Sequence, residues 1–325
     1  MKEMVSGSKN KVVYLDQKCW IELARKYYGK PSEQESKSVR KILEVSRENR
    51  VIFPLSISHL DETMRISNGE RRNRLASLMV KISKGYAFQP YVDRNIRDEV
   101  RNAVLKKLGL PTLNIGDHVL KQGISHLIGA RAKLEPKQGA KKEIPEELKT
   151  KLLNLLESTE TLEILLKQKM PRSMDRGRGE TVMKMEENRK GLLNVKDNDL
   201  RKRVFLTRNI TEIVLPELAR TLYECKLPYD FVIKKKPSRR DIETFLDSIP
   251  SALCLFTLIY QRDQQLQRTI ETNDINDVWF LTLAIPYSDF VVTERMWAAI
   301  ARQTHLDRNC NTTILSSVEE LGNLL

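Results

Sequence analysis

Histidine and cysteine are scarce in this chain, and their scarcity excludes several chemistries. Only 4 His and 4 Cys occur in 325 residues. Cys19, Cys225, Cys254 and Cys310 are scattered, with no CxxC pair and no adjacent histidine. A structural zinc site needs sulfur and imidazole ligands at short, fixed spacings, so it is not expected. The same scatter makes a reducing cytoplasm the expected setting. Long apolar runs are missing too: none approaches the roughly 20 residues that span a bilayer, so no membrane partner is expected. The opening MKEMVSGSKNK lacks the apolar core of a signal peptide.

Acid is in deficit. Against 56 Lys+Arg stand 43 Asp+Glu, giving a formal charge of +13 and a pI near 9.5. Such an excess favours an anionic partner, of which nucleic acid is the commonest. Hydrophobic residues make up 40% of the chain, enough for a large folded core.

The chain has three textures, with boundaries near residues 91 and 248. From 1 to 91, strands alternate with helices. Val12–Leu15 reads as a buried strand, and an amphipathic helix restarts at Trp20. Val51–Leu55 is a second strand, leading into a helix for which Ser58 and Asp61 form a capping-box-like start. Residues 92–248 are highly charged and mainly helical in period. Residues 249–325 return to the first texture, with an apolar helix in IPSALCLFTLIYQ and strands at Phe290–Thr293 and Thr313–Leu315. Strands alternating with helices argue for βαβ units around a parallel sheet. The expected architecture is therefore α/β, with one sheet built from both chain ends and a large, mainly helical insertion between them.

Carboxylates fall where such a sheet would bind a ligand, at the carboxyl ends of its strands. Asp16 closes the first strand, Glu62 sits in the helix after the second, and Asp277 lies in the opening turn of the helix read from NDINDVWFLTLA. Glu294 directly follows the late strand. Crowded carboxylates repel, and a hard divalent cation such as Mg²⁺ or Mn²⁺ relieves that repulsion.

The stretches VVYLDQKCWIELA, FPLSISHLDETMRIS and NDINDVWFLTLAIPYSDFVVTERMW resemble the acidic motifs of PIN and PIN-like nucleases. Asp16, Glu62, Asp277 and Glu294 match that family's acids in order, and Asp289 stands as a fifth, auxiliary one. The resemblance covers both ends of the chain, under half its length. It implies a three-layer, Rossmann-like α/β/α fold and endoribonuclease activity with Mg²⁺ or Mn²⁺, in a toxin, phage-defence or RNA-processing role. In that scheme Asp16 is the central ligand, Glu62 and Asp277 hold metal, and Glu294 or Asp289 completes the shell. Lys18 and Glu294 depart from the family pattern, which commonly has a small polar residue and an Asp there.

RNA, or single-stranded DNA, would be gripped by basic residues: Lys18, Arg71, Arg72 and Arg74, and Lys234, Lys235, Lys236, Arg239 and Arg240. Tyr287 and Trp297 are read as core residues and His59 as a packed or capping side chain. The competing reading is a catalytically degenerate nucleic-acid-binding or protein-interaction scaffold. There the helical middle would bind a protein partner or a second copy of the chain.

Overall fold

A computed structural model describes residues 10–134, 144–170, 178–232, 238–265 and 267–325. Strand β1 (Lys11–Leu15) is a β-branched, apolar run buried on both faces, as the centre of a parallel sheet requires. Helices α1 (Gln17–Tyr28) and α2 (Glu33–Arg47) cross over to β2 (Val51–Ile52). Asp16 caps α1, and Ser32 with Glu35 forms a capping box on α2. Helices α3 (Ile57–Arg65) and α4 (Gly69–Ser83) follow, then β3 (Tyr86–Phe88) and α5 (Val92–Lys107).

A short hairpin partner comes next: α6 (Gly116–Val119), β4 (Leu120–Gln122) and α7 (Ile124–Ile128). The charged middle then supplies α8 (Glu146–Leu156), α9 (Thr159–Lys167), α10 (Arg178–Leu193), α11 (Asn198–Asn209), α12 (Leu215–Glu224) and α13 (Arg239–Asp247). The last part contains α14 (Pro250–Asp263), α15 (Thr272–Tyr287), β5 (Phe290–Val292), α16 (Arg295–Gln303), α17 (Leu306–Cys310), β6 (Thr313–Leu315) and α18 (Val318–Leu324). Ser317 caps α18 by accepting from the Glu320 N–H.

The two chain ends meet in one four-stranded sheet of order β2-β1-β5-β6, parallel throughout. Val13, Tyr14 and Leu15 lie opposite Phe290, Val291 and Val292. Side chains alternate across this sheet and build a core on each face. Val12, Tyr14, Val291 and Ile314 point to one core, which α5, α12, α14, α15 and α16 cover. Val13, Leu15, Val292 and Leu315 point to the other, beneath α1, α2, α4, α9 and α18. The chain is thus an α/β protein with helices on both sides of a parallel sheet. Each Val or Leu buried there contributes about 2 kcal/mol. Helices of the middle segment share these cores. Ile96 and Val100 from α5, Leu218 from α12 and Phe245 from α13 pack in one cluster with the sheet residues.

Several local expectations change. Ser58 is not the cap of α3; that helix starts one residue after Ser56, whose N–H donates to His59 Nδ1 at 2.9 Å. The pair β3–β4 has no counterpart in the sequence reading, because both strands are 3 residues long and β4 is largely exposed. Cys254 and Cys310, distant in sequence, bring their sulfurs to 3.8 Å in the core as free thiols. Among the described residues no single helix is long and apolar enough to cross a membrane.

Candidate active site

Strands β1 and β5 are neighbours whose connections leave in opposite directions, β1 towards β2 and β5 towards β6. Diverging crossovers open a crevice outside the carboxyl ends of such strands, where ligands bind in open α/β sheets. Asp16 directly follows β1, and Glu294 comes just past β5, so each lip carries a carboxylate. Glu62 reaches the crevice from α3 and Asp277 from the second turn of α15. All four acids line one cavity of about 550 Å³.

The second turn is a correction for Asp277, expected in the first. Helix α15 begins at Thr272, and Asp274 closes its start by accepting from the Glu271 N–H at 2.9 Å. Asp274 is itself buried and takes a hydrogen bond from Arg268, so its role is to hold this entry.

Neighbours orient the two most enclosed acids. Asp16 Oδ1 accepts from the Gln17 N–H at 2.6 Å, and Asp16 Oδ2 from the Thr293 hydroxyl at 3.1 Å. Asp277 Oδ2 accepts from the indole N–H of Trp297 at 3.0 Å. Trp297 is fully buried, so it is a core residue with one polar atom turned to the site. Lys18 Nζ stands 3.7 Å from Glu294 Oε1, on the exposed rim of the cavity.

Burial and crowding both resist ionisation here. Burial pushes the Asp16 carboxyl up to about 6, and the charge of Glu294 adds to it; the Thr293 and Gln17 hydrogen bonds oppose the rise. Asp277 is pushed up to about 8, by burial first and then by Asp16, with Glu62 and Glu294 contributing. A set of hard oxygen donors that repel one another fits Mg²⁺ or Mn²⁺. Among the described residues no three Asp, Glu, His or Cys side chains close on one point as a finished metal shell. The acids instead stand around the cavity wall.

Asp289 belongs elsewhere. It precedes β5, so it lies at the amino end of the sheet, where its carboxylate accepts from the Val12 N–H at 2.9 Å. Its own N–H donates to Val12 O at 2.8 Å. The auxiliary-ligand assignment fails because Asp16 and Asp289 flank β1 and β5 at opposite ends.

The basic residues divide. Arg71 lines the acid cavity and an adjoining one of about 400 Å³ between α1 and α4. Arg74 lines only the adjoining one, paired with Glu70 and over the ring of Tyr28. Arg72 is turned inward: its Nε donates to Lys167 O at 2.9 Å and its Nη1 to Ile66 O, tying α4 to its surroundings. Arg72 therefore holds structure and is withdrawn as a ligand contact. Arg240 is exposed on α13 and lines neither cavity. Lys234, Lys235 and Lys236 lie outside the described residues, as does the side chain of Arg239.

Two further arginines escape the sequence reading. Arg25 lines both cavities, and its signal is present: Lys18, Glu22 and Arg25 recur at helical spacing on one face of α1. Arg268 enters from the loop before α15, positioned by long-range contacts that no local pattern announces. Arg189 Nη1 donates to Arg268 O at 2.6 Å, and the Ile270 N–H donates to Glu186 at 2.7 Å, both from α10. His59 is fully buried beside Tyr14, and burial lowers it to about 3, so it is a neutral capping residue.

No family model, curated protein or solved structure matches this chain.

Proposed function

We propose that the chain is a metal-dependent endoribonuclease of PIN-like type, with residues 92–248 as a helical insertion in its sheet domain. One observation carries this reading: Asp16, Glu62, Asp277 and Glu294, far apart in sequence, line one cavity at the diverging ends of β1 and β5. Mg²⁺ or Mn²⁺ held by these carboxylates would supply the activation of water and the charge neutralisation that phosphodiester hydrolysis needs.

The chain's own residues do the rest. Asp16, Asp277, Glu62 and Glu294 offer the oxygen ligands, and Thr293 and Trp297 fix the orientation of two of them. Arg25 and Arg71 run from this cavity into the adjoining basic one and give the phosphates of a strand a path along α1 and α4. Arg268 lines the same cavity, with its guanidinium held by Asp274.

A scaffold without catalysis is the second reading, favoured by the Lys18–Glu294 pair, which spends one acid on a cation of the chain itself. Purified full-length protein incubated with total RNA separates the two. Cleavage in Mn²⁺ that stops with EDTA supports the nuclease; intact RNA in both conditions, with binding retained, supports the scaffold.

A further inference from the structure

A further cavity, of about 310 Å³, lies where β3 and the β4–α7 segment meet, and it shares no lining residue with the acid cavity or the one adjoining it. Leu55 bridges Ala87 in parallel, so β3 continues the direction of the main sheet. Gln89, just past β3, lines the pocket, which therefore opens at another strand's carboxyl end.

Its walls are cationic. Arg94, Lys121 and Arg131 face it together with His118 and His126, against a single carboxylate, Glu157. Glu157 is already engaged, accepting from the Ser125 N–H at 3.0 Å and from the Ser125 hydroxyl. On the same helix α5, Arg97 pairs with Glu217 at 3.0 Å and Arg101 with Glu224 at 4.0 Å. Among the described residues Arg94, Lys121 and Arg131 have no such acidic partner. Burial, and then the charges of Lys121 and Arg94, lowers His126 below the ordinary imidazole range.

The backbone keeps this space open beside an aromatic ring. Gly129 adopts φ +72°, and a Cβ there would collide with the Tyr91 ring. Tyr91 in turn donates its hydroxyl to Gly129 O at 3.0 Å while remaining 47% exposed. A fixed, accessible aromatic face beside unpaired cations suits a ligand with phosphates at one end and a planar base at the other.

We propose that this pocket binds a nucleoside polyphosphate, with its phosphates on Arg94, Lys121 and Arg131 and its base on Tyr91. Three arginine and lysine charges against one glutamate leave a positive excess that attracts the phosphates of a nucleoside di- or triphosphate. The volume lies at the small-ligand end of ordinary binding pockets.

The test is calorimetric titration of the full chain with ATP, in EDTA and at fixed ionic strength. The proteins are wild type, Arg94→Ala/Lys121→Ala, Arg131→Ala, Tyr91→Ala and a charge-matched control, Lys202→Ala/Arg203→Ala. Saturable one-to-one binding is expected in the wild type. Binding should weaken at least about tenfold in Arg94→Ala/Lys121→Ala and Arg131→Ala, from lost charge-assisted hydrogen bonds, and about tenfold in Tyr91→Ala. The control should stay close to wild type. Absent saturation, or equal weakening in the control, overturns the proposal, as does binding of a single-stranded oligonucleotide but not of ATP. All the substituted cations are exposed, and a circular-dichroism spectrum identifies any variant that misfolds.

Discussion

Thr293 donates its hydroxyl to Asp16 Oδ2 at 3.1 Å, joining the ends of two strands 277 residues apart in sequence. Thr293 is itself buried, so this bond sets the carboxylate's direction as well as linking β1 to β5. Thr293→Val keeps the shape and removes the donor. It should lower stability by about 1–3 kcal/mol and raise the Mn²⁺ concentration needed for half-maximal cleavage roughly tenfold or more. Urea unfolding and a Mn²⁺ titration of cleavage check the two effects. An unchanged Mn²⁺ requirement would reduce the bond to a structural tie.

The arginines lining the two cavities offer a sharper discrimination than a general loss of charge. Arg25→Ala/Arg71→Ala should weaken binding of a single-stranded RNA and flatten its logarithmic salt dependence by about 1.4, or roughly 0.7 per phosphate contact. Arg72→Ala should leave that slope unchanged and instead destabilise the fold, since its guanidinium holds the Lys167 and Ile66 carbonyls. The reverse pattern in a fluorescence-anisotropy salt series would overturn the assignment.

A buried acid away from the site gives the pH dependence. Glu99 accepts from Ser251 and from the Tyr287 hydroxyl, and burial pushes it up from 4.5 to about 7 against those bonds. The folded protein then keeps a proton that the unfolded chain has lost, so this contribution to stability falls as pH rises from about 4.5 to about 7. Glu99→Gln carries no such titration. Its stability should decline less than that of the wild type across the window, as read by urea unfolding at a series of pH values. Parallel curves would show that Glu99 does not titrate with folding.

Much of the frame was legible because it rests on short, unambiguous patterns. The apolar runs at Val12–Leu15, Phe290–Thr293 and Thr313–Leu315 alternate with helical patterns, which points to parallel strands, and the acids that follow two of them lie at the carboxyl edge of the sheet. What escaped depended on geometry that spacing does not encode. Adjacent arginines on a helix point about 100° apart, so the run RRNR sends Arg72 inward and Arg71 to the cavity. Asp289 is near Glu294 in sequence but across the whole strand from it. Arg268 reaches the cavity only because α10 holds its loop.

The most direct measurement compares wild type and Asp16→Asn on one labelled single-stranded RNA in Mn²⁺. The substitution keeps the Gln17 and Thr293 neighbours while removing the charge at the centre of the acid cluster. Cleavage by the wild type and its loss in Asp16→Asn, with the fold intact, is the predicted result. An Asp16→Asn protein that cuts at the wild-type rate would contradict the account and leave Asp16 as the cap of α1.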